Sequence, residues 1–295
     1  MNVQLITGIV TLSGLGVLFG IILAVASKVF HVEKDPRVEK IDEILPQANC
    51  GGCGYPGCAG YAEAVVKGEA SIDKCAPGGQ EVVEKIAQIL GVEAKASEPM
   101  VAVVRCQGSK DNAKDKYEYH GIEDCNAAVL LSNGSKACIY GCLGLGSCVK
   151  ACPFDAMFMQ DNGLPFVIED KCTACGNCVE ACPKGIMELI PRSQEVYLGC
   201  VNQDRGKAVK DVCSVGCTGC TLCTKPKITP SGKLVMENNM PSIPSDWTDW
   251  ENAVLKCPAK SFVVRDIAKE KYETILVEAE AAKAAKTTGQ AKAEN

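Results

Sequence analysis

Eight cysteines crowd the stretch from Lys136 to Pro183: Cys138, Cys142, Cys148 and Cys152, then Cys172, Cys175, Cys178 and Cys182. Each run closes on Cys-Pro, at Cys152-Pro153 and Cys182-Pro183. This is the spacing with which one chain holds two [4Fe–4S] cubes, three clustered thiolates gripping one cube while the Cys-Pro cysteine reaches the other. The chemistry is one-electron transfer. One slot departs from the pattern: Leu145 sits midway between Cys142 and Cys148, where a cysteine belongs, and Cys138 lies four residues upstream of Cys142. The expected ligand sets are therefore Cys138, Cys142, Cys148 and Cys182 for one cube, and Cys172, Cys175, Cys178 and Cys152 for the other.

Further cysteines flank this stretch on both sides. Upstream, Cys50-Gly-Gly-Cys53-Gly-Tyr-Pro-Gly-Cys58 is followed by Cys75, and no histidine accompanies them. The glycines let the backbone curl with its amides toward sulfur. This set reads as a [4Fe–4S] site, with a structural four-cysteine zinc as the alternative. Downstream, the gaps of Cys125-x12-Cys138-x3-Cys142-x5-Cys148 recur in Cys200-x12-Cys213-x3-Cys217-x5-Cys223, with Gly141 and Gly216 equivalent. In this second copy Cys220 fills the middle slot and Cys257-Pro258 stands apart, so Cys217, Cys220, Cys223 and Cys257 form a further set; ligation by Cys213 in place of Cys220 is the alternative. Cys106, Cys125, Cys200 and Cys213 remain, as additional candidate ligands or as free thiols packed like small hydrophobes. At least three clusters are expected; the motifs fill four, and the cysteine count permits a fifth.

Composition supports thiolate chemistry and excludes much else. Twenty of 295 residues are cysteine, whereas only His31 and His120 are available as imidazole ligands, and His120 lies in a polar stretch that reads as surface. Disulfides suit neither the Cys-x2-Cys runs nor a reducing compartment. There is no activated serine, no paired histidine and carboxylate, and no P-loop, so no substrate-transforming site is expected on this chain alone. Gly52-Cys-Gly54-Tyr-Pro-Gly57 matches a dinucleotide fingerprint only in spacing, because ligand cysteines and a proline interrupt it. Any hydride acceptor belongs to a partner, and nothing points to nucleic acid.

The elements that must position these cysteines begin with an anchor. No side chain from Asn2 to Ser27 is charged, and the apolar run Leu5 to Ala26 is long enough to span a hydrocarbon core of about 30 Å. Lys28, Lys34, Arg37 and Lys40 follow it, which by the positive-inside rule puts the rest of the chain in the cytoplasm. Gly16-x-x-x-Gly20 has the spacing of packed membrane helices. Asp35-Pro36 reads as the start of a helix with Val38, Ile41 and Leu45 on one face. Helices are also predicted over 59–67 and 81–90. Strands are predicted over 100–104, over 156–159 and 165–168 around Asp161-Asn-Gly163, and over 186–190. A last hairpin is predicted around a turn at 229–232. From Ala268 the sequence turns to Ala, Lys and Glu and reads as a solvated helix fraying into disorder. The fold class is α+β: a transmembrane anchor (1–28), a helical 4Fe-4S domain (29–92), a two-cluster ferredoxin-like βαβ domain (93–195), a further ferredoxin-like 4Fe-4S region as a partial repeat (196–266), and an Ala/Lys/Glu-rich tail (267–295).

The order of these motifs resembles the RnfB family, the B subunits of Rnf ion-translocating ferredoxin:NAD+ oxidoreductase (electron transport) complexes. The resemblance rests on the single membrane helix, the Pro-flanked Glu39–Pro46 segment, the Cys50–Cys58 motif, Cys75-Ala-Pro-Gly-Gly79 and the ferredoxin module through Pro183. The region from Cys200 to Cys257 looks like an extended, cysteine-rich form. The resemblance implies an electron-transfer subunit on the cytoplasmic membrane that accepts electrons from reduced ferredoxin and feeds a membrane redox path coupled to Na+ or H+ translocation. Its partners would be the integral A, D and E subunits, the soluble C subunit with the NAD(H) site, and the flavin-bearing G and D subunits.

Two other readings compete: a membrane-tethered polyferredoxin serving another dehydrogenase, and a zinc-stabilised binding module. The formal net charge of −5 argues against whole-molecule attraction to an acidic ferredoxin. A local basic patch of Lys150, Lys184, Lys207 and Lys210 is the expected docking surface, against scattered solvated lysines as the bland alternative.

Overall fold

The computed structural model describes residues 3–29, 35–96 and 98–279. Lys34, His31 and the tail from 280 onward lie outside the described residues.

Helix α1 (Val3–Val29) contains the one helix segment, Thr7–Lys28, that is long and apolar enough to cross a membrane among the described residues. Its described apolar side chains, Leu12 and Leu23 among them, face outward, as a lipid-facing helix requires.

Three short helices follow. In α2 (Pro36–Ile44) the Asp35 side chain accepts from the backbone N–H of Arg37, and proline opens the helix, as the local sequence predicts. α3 (Gly57–Val66) and α4 (Gly79–Leu90) pack on it, with Gly91 closing α4 in the left-handed conformation. Ile41, Tyr61, Val82 and Ile86 make the small core; Cys75 is buried within it, and Cys53 and Cys58 pack at its edge. The Tyr61 hydroxyl donates to the carbonyl of Ser71 at 2.9 Å, which satisfies its one polar atom.

The rest of the chain runs through two successive rounds of short strands and helices. Strand β1 (Met100–Val104) leads in. Short helices α5 (Cys125–Val129) and α6 (Ser147–Lys150) follow, then the hairpin β2 (Met157–Met159) and β3 (Pro165–Val167), then α7 (Asn177–Glu180). Strand β4 (Met187–Pro191) returns antiparallel to β1, pairing Ala102 with Leu189. The second round runs through β5 (Val196–Leu198), α8 (Lys207–Val212), the hairpin β6 (Val235–Glu237) and β7 (Met240–Ser242), α9 (Glu251–Lys256) and β8 (Phe262–Val264). Here β8 returns antiparallel to β5. In both rounds the returning strand follows a Cys-Pro turn.

One hairpin is displaced from its predicted position. The turn at 229–232 forms, with Gly232 donating to the Thr229 carbonyl at 3.2 Å, but no strand pairing flanks it. Pairing instead closes around Asn238-Asn239, both at positive φ (47° and 64°), the conformation a two-residue hairpin turn needs and asparagine tolerates.

Aromatic residues are few, and both tryptophans lie in the second round. Trp250 is fully buried with Trp247, Phe262, Leu198 and Val254. Its indole N–H donates to Glu195, and the Lys271 ammonium stands 4.6 Å from the ring centroid. Residues 269–279 are helical, and Tyr272 and Ile275 pack on this core. Trp250→Ala is expected to destabilise the C-terminal round by about 3–5 kcal/mol through the cavity it leaves. An anaerobic urea titration followed by Trp247 fluorescence would show it as a lower midpoint.

Candidate metal centres

Backbone conformation repeats in the three cysteine loops. In Cys172-Thr-Ala174-Cys175-Gly176-Asn-Cys178 the residues two and four after the first cysteine are left-handed, with φ of 57° and 86°. Gly144 and Gly146 occupy those positions after Cys142 (75° and 73°), and Gly219 and Thr221 do so after Cys217 (62° and 58°). The alternation curls each loop around a common centre. The three Cys-Pro turns also share a left-handed residue three after the cysteine: Asp155, Gly185 and Lys260 at 49°, 60° and 49°. Four residues after Cys182 and Cys257 a backbone N–H points back at sulfur, Ile186 at 3.4 Å and Ser261 at 3.5 Å.

The structure gathers all twenty cysteines into sets of four. Cys152, Cys172, Cys175 and Cys178 line one cavity, and Cys217, Cys220, Cys223 and Cys257 line another, the groupings read from spacing. Burial and the neighbouring Cys58, Cys53 and Cys50 raise the Cys75 thiol, which places those four together.

The remaining sets differ from the expectation. Cys142, Cys148 and Cys182 line a cavity with Cys125, not with Cys138. Cys125 is brought there by Asp124, which caps α5 by accepting from the N–H groups of Asn126 and Ala127. Asp124 also accepts from the Ser147 hydroxyl at 2.9 Å, and that hydroxyl accepts from the Cys125 N–H at 2.7 Å. This chain of bonds seats Cys125 beside Cys148, where it serves the loop whose middle slot holds Leu145. The Ala127 N–H and the Ser147 hydroxyl hold the Asp124 carboxyl below its ordinary range. Cys138 faces the opposite way, into a cavity shared with Cys106, Cys200 and Cys213. Each of the four cysteines without a compact motif thus lines a cavity with three others, and Cys220, not Cys213, lines the one with Cys217, Cys223 and Cys257.

The thiols carry the marks of enclosed sites. Burial pushes Cys148 up to about 11 and Cys178 and Cys223 up to about 12, with the other thiols of each set adding to the effect. Such thiols hold their protons until a cation supplies the compensating charge, so metal uptake releases protons. Among the described residues no three Cys, His, Asp or Glu side chains converge on a position for a single ion. Tetrahedral zinc needs sulfurs about 3.8 Å apart, set by ~2.3 Å bonds. The donor sets, four thiols each and no imidazole, fit a four-iron cube, whose corners spread its thiolates wider.

Contacts between sets arrange them in a row. The Asn177 side-chain amide donates to the Cys50 carbonyl at 3.0 Å, and Gly52 lies against the Cys175 carbonyl. Cys178 and Cys148 share one apolar cluster. The Cys142 N–H points at the Cys106 sulfur at 3.5 Å, and the Cys217 N–H bonds to the Cys200 sulfur.

Two of the four lysines of the expected patch are tied to backbone carbonyls. Lys150 donates to the Glu123 carbonyl at 2.6 Å, and Lys184 to the carbonyls of Asn133 and Ile139 at 2.7 and 2.6 Å, so both are latches on the loop that carries Cys125. Lys207 and Lys210 stand exposed on α8. Sequence reasoning missed the Asp124–Ser147 pair and Asn202, whose buried side-chain amide donates to the Cys138 sulfur at 3.3 Å. The one available signal was that Cys106 and Cys200 each fall two residues beyond a short β-rich run.

Comparison with known proteins finds iron–sulfur families in two segments of this chain. The family described as "Putative Fe-S cluster" matches residues 45–77, and a "4Fe-4S dicluster domain" matches residues 136–187. The B subunit of an ion-translocating oxidoreductase complex from Methanosarcina acetivorans is 42% identical over 266 residues, covering 90% of this chain and 100% of the relative. The chain belongs to the family of ion-translocating oxidoreductase complex B subunits. Two further members are the B subunits of the Na(+)-translocating ferredoxin:NAD(+) oxidoreductase complex of Acetobacterium woodii and of the proton-translocating counterpart of Clostridium ljungdahlii. The first is 46% identical over 68% of this chain and 61% of the relative, the second 47% identical over 71% and 74%. Both family-model matches end before Cys200, so the second round of this family member lies outside them.

Proposed function

We propose that this chain is the iron–sulfur electron-transfer component of a membrane-bound, ion-translocating ferredoxin:NAD+ oxidoreductase complex. It takes electrons from reduced ferredoxin and passes them one at a time to membrane redox subunits. The observation that carries the reading is the row of four-cysteine sets running from an exposed end to the domain that follows α1 in the chain.

A bound [4Fe–4S] cube supplies reversible one-electron transfer at a potential set by its surroundings. This chain's residues hold each cube and tune it. The sets are Cys50, Cys53, Cys58 and Cys75; Cys152, Cys172, Cys175 and Cys178; Cys125, Cys142, Cys148 and Cys182; and Cys217, Cys220, Cys223 and Cys257. Backbone N–H groups aimed at sulfur, such as those of Ala102 on Cys172 (3.4 Å) and Ile186 on Cys182, favour the more negative reduced state.

Cys220 is the one exposed cysteine, which makes the C-terminal set the accessible entry for a soluble donor. The Cys50–Cys75 set, nearest α1 in the chain, is the exit. With α1 in the bilayer, the basic residues that follow it favour a cytoplasmic position for both ends. Each transfer oxidises the donor by one electron and reduces the membrane acceptor by one, and no bond or proton changes on this chain.

The test is anaerobic purification in mild detergent followed by addition of reduced ferredoxin. The broad visible absorption of iron–sulfur clusters should be present and should bleach in proportion to ferredoxin added. A colourless chain containing zinc, or clusters that ferredoxin cannot reduce, would overturn the reading.

A further inference from the structure

The cavity lined by Cys106, Cys138, Cys200 and Cys213 lies where the two rounds of the fold meet, and each round contributes two of its cysteines. The geometry points to a fifth [4Fe–4S] site at this junction, a bridge that makes the C-terminal set continuous with the rest of the row. The inference rests on the electron-relay reading and goes beyond it.

The four cysteines are related in pairs by the repeat. Cys106 lies two residues beyond β1 and Cys200 two residues beyond β5. The residue before each cysteine donates its N–H to the residue four after the Cys-Pro cysteine of its own round: Arg105 to Ile186 at 2.8 Å, Gly199 to Ser261 at 2.8 Å. Each sulfur accepts from the N–H two residues on, Gly108 to Cys106 at 3.4 Å and Asn202 to Cys200 at 3.5 Å. The second pair, Cys138 and Cys213, each stand four residues before the first cysteine of their binding loop. Structural equivalence therefore matches Cys200 with Cys106. The equal spacing in sequence suggests Cys125 instead, but Cys125 belongs to the longer segment between Cys106 and Cys138.

What surrounds the thiols also favours a bound anionic cluster. The cavity holds no carboxylate and no imidazole; its charged residue is Lys136, 8% exposed and paired with Asp115 at 3.4 Å. Asn202, 2% exposed, aims its side-chain amide at Cys138 from the other round. Four thiols with N–H donors aimed at them match the negative charge of an all-thiolate cube, whereas neutral packed thiols would leave those donors facing weak acceptors. The site's neighbours are bonded to it directly, through the Cys142 N–H on Cys106 and the Cys217 N–H on Cys200. Without it, the C-terminal set is separated from the Cys125 set by the width of this cavity.

The experiment is iron, sulfide and zinc quantification, with EPR of the reduced protein, on the full chain purified anaerobically in detergent. It is run on the wild type, a Cys106→Ser/Cys200→Ser double variant and Cys138→Ser. Five cubes predict about twenty irons and twenty sulfides per chain. Both variants should fall to about four-fifths of the wild-type iron and lose the same EPR component. About sixteen irons in the wild type, or one zinc per chain that the double variant loses, would overturn the inference and leave the relay reading standing. Cys138→Ser losing a different component from the double variant would also overturn it. Wild-type iron far below sixteen would instead count against the relay reading itself. If a variant fails to fold, the wild-type iron and zinc counts decide.

Discussion

Replacing Arg265 with methionine is expected to lower the stability of the joined modules by about 3–5 kcal/mol, the cost of breaking a buried ion pair from one side. Arg265 is 4% exposed and follows β8, yet every side-chain bond it makes is to the first round or the linker between rounds. Its guanidinium meets Glu169 through two bonds, 3.0 and 2.6 Å, and donates to the carbonyls of Pro191, Arg192 and Gln194 at 3.2, 2.9 and 2.7 Å. Methionine would fill the space but take this donor from the carboxylate and from the carbonyls of Arg192 and Gln194, while the Pro191 carbonyl keeps the Gln194 N–H at 3.1 Å. Lysine offers one compact charge in place of a planar fork and should recover little. The measurement is the anaerobic urea midpoint of the holoprotein for wild type, Arg265→Met and Arg265→Lys. Because the linker so clamped is also what sets the two rounds against each other, the same variants should lose iron from the junction site before any other.

Gly52→Ala is expected to slow electron passage between the N-terminal domain and the ferredoxin module while leaving both clusters in place. A Cβ at Gly52 would lie 2.4 Å from the Cys175 carbonyl and 3.1 Å from its Cβ, contacts the rigid backbone cannot yield. The φ of Gly52 is not in the left-handed region, so alanine is tolerated within its own loop and the effect falls on the docking. Displacing the two centres lengthens the path between them, and a several-fold loss of rate is expected here. Flash reduction of the chain, with the Cys50–Cys75 cluster followed by freeze-quench EPR, reads the rate directly. Unchanged kinetics with full iron content would show that the contact does not carry the transfer.

What could be read from sequence follows from how local each site is. Cys172, Cys175 and Cys178 lie on one curled loop, so spacing alone reveals them, and a Cys-Pro turn marks the distant fourth ligand. The exchange of Cys125 for Cys138 could not be read this way, because it depends on a loop folding back and being fixed by Asp124, Ser147, Lys150 and Lys184. The junction set is less legible still: Cys106 and Cys200 meet only after β1 pairs with β4 and β5 with β8. The repeat was visible in the spacing of its cysteines, but equal spacing matched Cys200 to Cys125 when strand pairing matches it to Cys106. The last hairpin moved for a local reason, the tolerance of Asn238-Asn239 for positive φ.

EPR of the fully reduced intact chain reads whether the cysteine sets form one continuous relay. Neighbouring reduced clusters in a row should give a broadened, interacting spectrum, which simplifies when Cys106 and Cys200 are replaced and the row is cut. A spectrum that is the plain sum of isolated cluster signals, unchanged by that substitution, would contradict the account.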